Sequence, residues 1–145
     1  MAETSVQSPR ALVEQLFREL PARDPDAFVS LLAPDAVFEI PFTIPGMPDR
    51  LEGREAIRAH LAQRWSGLSG IEIHAVHPQV YETTDPGLIL VENDVDMTWP
   101  GTGRARVRTS VNVVRVREGK VVLFRDYMNT ARLARLTAGS PSSDA

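Results

Sequence analysis

Near the C-terminus, the stretch FRDYMN, Phe124 to Asn129, closes an apolar run that reads as a buried β-strand and sets an arginine and an aspartate side by side. Successive side chains on a strand point to opposite faces, so one of Arg125 and Asp126 faces the core and the other does not. An aspartate turned into an apolar wall can do chemistry. Burial penalises its ionised form and can raise the pKa of a fully buried carboxyl by about 3 to 5 units, which suits proton transfer near neutral pH. A second proton carrier is His60, at the edge of a helical stripe of Ile57, Leu61 and Trp65. Its ordinary pKa of about 6.5 lies in the same range.

The hairpins that follow decide what shares a face with Asp126. If PGTG is a four-residue loop, Trp99 opposes Arg104, and on one face Asn93 lies opposite Ser110, Val95 opposite Arg108 and Val91 opposite Asn112. For the next hairpin, a two-residue Glu118-Gly119 loop puts Arg125 on the face of Asn112. A three-residue loop with Gly119 at a left-handed bulge position puts Asp126 there and is the preferred reading, since that position calls for glycine. Asn93, Ser110 and Asp126 then form a polar row in a wall with Val122, Phe124 and Met128, while Leu123, Arg125 and Tyr127 face outward. A rival register places a bulge near Val113, turns the odd positions of strand 104–117 inward for its first half and leaves Arg106 and Arg108 in water. The pattern alone does not choose between the two.

Other chemistry-bearing residues read as background. His74 and His77 are three apart in a strand and face opposite ways, so they do not join as metal ligands. Glu92, Asp94 and Asp96 share a face, but alternate strand residues lie about 7 Å apart, too far to wrap one ion without loop ligands. A solvated or interface face is expected there. Met47, Met97 and Met128 fit a pocket lining or core. No metal site is expected, and with no cysteine in the chain disulfides and thiolate chemistry are excluded.

Three helices must carry the N-terminal part of this arrangement. Ser8-Pro9 starts the first, with Leu12, Val13, Leu16, Phe17 and Leu20 on one stripe. Asp24-Pro25 starts a second, ending near Pro34. AVFEI is a short strand, the proline-rich PFTIPGMPDRLEG is a loop, either a lid or a plain connection, and Arg54 to Trp65 is the third helix. Strands follow over roughly 71–82, 87–99, 104–117 and 120–129, and ARLARL forms a last short helix. Helices first and consecutive antiparallel strands after them give an α+β fold, a curved antiparallel sheet packed against three N-terminal helices and closing a cone with a cavity. The chain of 145 residues reads as one domain over 9–136, between a flexible stretch 1–8 and a disordered tail 137–145.

A formal charge of −3 argues against a nucleic-acid binder. No secretory signal and no apolar run near the roughly 20 residues of a membrane span is present, so a cytoplasmic location is expected.

The stretch YETTDPGLILVEND, then VVRVREGK and FRDYMN, resembles the PhzA/PhzB phenazine-biosynthesis proteins and the wider SnoaL-like and limonene-epoxide-hydrolase group. These share the nuclear-transport-factor-2-like cone fold that includes ketosteroid isomerase. The match is best from Tyr81 to Leu136 and fair over GREAIRAH. The resemblance implies that the acidic residue of the RDY segment points into the cavity. It does not carry over the specialist chemistries. The residues at the ketosteroid isomerase positions are Leu16, Ile40 and Asn112, and those at the epoxide hydrolase positions are Phe38, Ile40, Asn93 and Val95, with only Asp126 retained. By the PhzA/PhzB pattern, Asp126 corresponds to the acid/base glutamate of the last strand and His60 to the active-site histidine of the third helix, while Arg64 stands where that family has a serine.

The expectation is a cofactor-independent enzyme, of cyclase, isomerase or condensation type, acting on a small cyclic carbonyl compound. Asp126 and His60 would be its catalytic pair. Asn93, Arg108, Ser110, Asn112, Arg64, Phe38, Trp65, Phe124 and Met128 would hold the substrate. The alternative is a binding or accessory protein using the same cavity. A homodimer through the outer face of the sheet is expected in either case.

Overall fold

Ser8 starts the first helix as its sequence suggests: its Oγ accepts from the Ala11 amide at 3.1 Å, and Pro9 occupies the first turn of α1, Pro9–Arg18. Leu12, Val13, Leu16 and Phe17 face the core. A 3-10 turn, Leu20–Ala22, ends at Arg23, whose φ of 51° reverses the chain. The Asp24 carboxylate then caps α2, Pro25–Val29, from the amides of Asp26 and Ala27. The computed structural model describes residues 7–138, with side chains through 135. The expected flexibility of 1–6 and disorder of 139–145 lie outside the described residues.

Strand β1 is Leu32–Glu39, and β2, Arg50–Glu52, is a short strand inside the segment expected to be loop. Helix α3, Arg54–Ser66, precedes β3 Glu72–Glu82, β4 Leu88–Trp99, β5 Gly103–Arg117 and β6 Lys120–Met128. Helix α4 is Thr130–Ala138, longer than expected and reaching into the segment read as tail. The strands form one six-stranded sheet in the order β2-β1-β6-β5-β4-β3. It is antiparallel except for β1 and β6, which pair in parallel. None of the described helices is long and apolar enough to cross a membrane.

The core lies between the helices and the inner face of the sheet. Phe124 of β6 is its hub: it stacks on Phe38 with centroids 5.2 Å apart, meets Phe28 edge-on at 5.6 Å and touches Phe17 at 6.0 Å. The outer face is ionic. Arg104 grips Asp96 with two bonds of 3.0 and 2.9 Å, and Arg108 reaches Asp94 at 2.6 Å and Glu92 at 3.5 Å. Exposed pairs of this kind each contribute about 0 to 1 kcal/mol, so they fix a surface rather than hold the fold.

Three bulges between antiparallel strands set the inward-facing residues. On β5, Asn93 pairs with Ser110 but Asp94 pairs with Arg108, which leaves Thr109 as the extra residue. Val107 therefore faces inward before it, and Ser110 and Asn112 after it. The pairings Asn93–Ser110 and Val91–Asn112 agree with the first expected register, and Trp99 pairs with Gly103 rather than Arg104. Arg106 and Arg108 stand outside, as in the rival register, but through a bulge at Thr109 and not near Val113. The second bulge is on β6. Arg117 pairs with Lys120, so the turn is the two-residue Glu118-Gly119, with φ of 52° and 77°; Val122 is then skipped between Val116–Val121 and Arg115–Leu123. That skip restores the parity lost by the shorter turn and brings Asp126 inward, opposite Asn112 rather than Ser110. Val121, not Val122, is the buried valine. The third bulge, between Ile73 and Ala75 on β3, exposes both His74 and His77, which share the outer side near Asp96 instead of facing opposite ways.

The motif YETTDPG is structural. Asp85 accepts from the Gly87 amide at 3.0 Å and from Arg115 at 3.1 Å, closing the turn between β3 and β4.

Candidate active site

Helix α3 carries its chemistry on one face. Ile57 and Leu61 are buried in the core, and His60, Arg64 and Trp65, at neighbouring helical positions, line a cavity of about 950 Å³. The opposite wall is the inner face of the sheet. Asn93 and Met97 come from β4, Thr109, Ser110 and Asn112 from β5, and Phe124, Asp126 and Met128 from β6. Phe38 of β1 adds to the wall, Leu20 and Arg23 approach from the turn after α1, and Leu133 from α4. Most lining side chains are apolar, as expected of a site for a small organic molecule, and the volume lies at the upper end of the roughly 300 to 1,000 Å³ usual for such sites.

The polar row crosses β5 and β6. Ser110 Oγ donates to Asn112 Oδ1 at 2.7 Å, which turns the Asn112 amide so that Nδ2 donates to Asp126 Oδ1 at 3.3 Å. Among the described residues this is the only hydrogen bond to the Asp126 carboxyl. Asp126 keeps some accessible surface because it lines the cavity, yet protein surrounds it. Burial pushes its pKa up to about 7, against the opposing pull of the Arg64 charge and the Asn112 bond. At neutral pH it is populated in both protonation states.

His60 is held neutral. Burial lowers its pKa, and the nearby Arg64 cation lowers it further. Its Nε2 is buried without a hydrogen-bond partner among the described residues, as is Asn93 Oδ1. Unsatisfied buried polar atoms cost stability, and both residues stand in the cavity wall. Asn93 otherwise donates to Thr109 Oγ1 at 3.4 Å.

Of the residues expected at the site, Asp126, His60, Asn93, Ser110, Asn112, Phe38, Trp65, Phe124, Met128 and Arg64 all line this one cavity. Arg108 does not. The bulge at Thr109 turns it to the outer face, where it is exposed and pairs with Asp94 and Glu92. Thr109, Arg23, Leu133 and Trp99 belong to the lining and were not expected there. The clue to Thr109 lay in Asn129. Its amide nitrogen donates to Thr109 O and its Nδ2 to Arg108 O, both at 2.8 Å, which satisfies the carbonyls that the bulge releases. The other residues of FRDYMN divide between the two faces of the sheet. Arg125 bonds Glu39 outside at 2.8 Å, Tyr127 packs edge-on against Phe42, and Met128 lines the cavity.

Comparison with known proteins bears on this arrangement. Residues 13–124 match the model of the SnoaL-like domain. The chain belongs to that family. An uncharacterized PhzA/B-like protein of Pseudomonas aeruginosa is 33% identical over 109 residues, 75% of each chain. Among solved structures, a Bacillus subtilis protein with a provisional isomerase assignment superposes with a TM-score of 0.73 at 25% identity, over 90% of this chain and 92% of that one. TerC, crystallised with polyporic acid, superposes with a TM-score of 0.70 at 20% identity, over 89% and 98%. These neighbours place the fold among the nuclear-transport-factor-2-like cones, as the FRDYMN resemblance implied.

Proposed function

We propose that this SnoaL-like chain is a cofactor-independent general acid/base enzyme acting on a small cyclic carbonyl compound. The observation that carries the reading is the Asp126 carboxyl, with a pKa of about 7, in the wall of a cavity large enough for a ring system. In its ionised form Asp126 takes a proton from the carbon next to the carbonyl. In its protonated form it returns one, at the same or a neighbouring position. Neutral His60, with Nε2 unpartnered, hydrogen-bonds the carbonyl oxygen or exchanges the opposite proton. Ser110 and Asn112 fix the orientation of the carboxyl and do not themselves move a proton. A positioned group of this kind contributes roughly 10² to 10⁴ in rate, enough for isomerisation, cyclisation or condensation of a reactive intermediate.

The test is proton exchange at the α-carbon of cyclic ketones such as 2-tetralone in D₂O, followed by NMR. Acceleration by the wild type and its loss in Asp126→Asn support the reading, and equal exchange with both proteins refutes it. Orphaned polar atoms also suit a second reading, a binding or accessory protein whose cavity holds a ligand without turnover. TerC with polyporic acid supports a small-molecule occupant of this fold. Ligand binding without any Asp126-dependent exchange would favour that reading. A homodimer through the outer face, where Val111 is exposed, completes the proposal, with sedimentation equilibrium as its check.

A further inference from the structure

Among the described residues that line the cavity, Arg64 is a charge the fold leaves without a partner. Its guanidinium lines the cavity and, among the described residues, makes no ion pair or hydrogen bond. The side chain is half-buried in the cavity wall, and burial lowers its pKa. A half-buried guanidinium without a protein partner is placed to take an anionic one.

The surroundings show what that something is. Among the described residues, the ionisable side chains lining the cavity are Arg23, His60, Arg64 and Asp126. Arg23 is occupied by the carbonyls of Leu68 and Ile71. His60 is neutral, and Asp126 does not pair with Arg64. The cavity is therefore net positive whichever protonation state Asp126 takes, inside a chain whose formal charge is −3 and whose outer face matches acid to base. An unoccupied cation in an apolar, positive cavity selects an anion with an apolar body. The planar fork of a guanidinium fits a carboxylate with two parallel bonds.

We infer that Arg64 is the specificity residue of this site and that the natural ligand is a ring-sized apolar compound bearing a carboxylate, which Arg64 binds. This rests on the small-molecule cavity proposed above. The carboxylate anchors at α3, one helical turn from His60, and the remainder of the ligand lies toward Asp126 and the apolar wall of Phe38 and Phe124.

Isothermal titration with biphenyl-4-carboxylate and its neutral isostere biphenyl-4-carboxamide tests it at pH 8, in wild type, Arg64→Gln and Arg64→Lys. The wild type is expected to prefer the carboxylate by about 10- to 100-fold, the worth of a charge-assisted hydrogen bond. The preference should fall to about one in Arg64→Gln and be partly kept in Arg64→Lys. Equal affinity for the two probes in the wild type, or a preference that survives in Arg64→Gln, overturns the inference while leaving the cavity reading intact. Binding of neither probe overturns both. Equal affinity together with slower ketone exchange in Arg64→Gln also overturns it, since Arg64 would then act on the reacting oxygen and not on a substituent.

Discussion

Arg64 and Asp126 face the same cavity from α3 and β6, near enough that each charge shifts the other's titration, yet they form no ion pair. The arrangement leaves the carboxyl poised near neutrality and the guanidinium open to a ligand. A direct salt bridge would have removed both properties, since a close cation pulls a carboxylate pKa down by about 1 to 3 units.

Removing the Arg64 charge should move two pKa values in the same direction. Asp126 loses the interaction that favours its ionised form, and His60 loses the one that disfavours its protonated form, so both rise in Arg64→Gln. Carbon-detected NMR titration of the aspartate carboxyl and nitrogen-detected titration of the imidazole would check this. An Asp126 midpoint that stays at about 7 in the variant would show that the two side chains are uncoupled.

The raised carboxyl also makes stability depend on pH with a definite sign. An unfolded aspartate ionises near 3.8 and the folded Asp126 near 7, so between those values the folded state holds more protons. Stability contributed by this group is complete below about pH 4 and is lost as pH rises through 7. Asp126→Asn should accordingly be more stable than wild type at pH 8, by roughly 1 to 4 kcal/mol, with the gain vanishing at pH 3.5. Urea denaturation at the two pH values measures it.

Two residues of the expected site should separate cleanly on truncation. Phe124→Ala removes the ring on which Phe38, Phe28 and Phe17 converge and should cost about 3 to 5 kcal/mol of stability. Arg108→Ala removes only exposed ion pairs and should stay within about 1 kcal/mol, with probe affinity unchanged. A marked loss of ligand affinity in Arg108→Ala would mean that β5 adopts the register without the Thr109 bulge.

Gly87 offers a test of the YETTDPG turn. A Cβ there would stand 2.8 Å from Val116 O, backbone of a residue that pairs with Val121 and whose amide donates to Gly87 O. Gly87→Ala is expected to destabilise by about 1 to 3 kcal/mol, as overpacking does, without altering cavity chemistry. Thermal unfolding beside ketone exchange distinguishes the two effects.

The helix starts were legible because their signals are local, whereas α2 ends at Val29 and not near Pro34, which lies in β1. Ser8-Pro9 and Asp24-Pro25 each bring a cap and a first-turn proline in adjacent positions, and the α3 face follows from spacing alone. Side-chain parity along β4 was legible for the same reason, since its alternation is unbroken. Parity along β3, β5 and β6 depends on bulges, and a bulge is set by which partner takes the released backbone groups. Asn129, on the far side of a hairpin from Arg108, fixes the one at Thr109, so Arg108 could not be assigned from β5 itself. Asp126 was expected inward through a three-residue turn. It is inward because a two-residue turn and a bulge at Val122 together have the same parity.

Proton exchange of 2-tetralone in D₂O, compared between wild type and Asp126→Asn at pH 7, tests the central claim most directly. Wild type is expected to accelerate exchange, and the variant to lose about 10² to 10⁴ of that acceleration while still binding the ketone. An Asp126→Asn protein that folds, binds the ketone and exchanges its α-protons as fast as wild type would contradict the account.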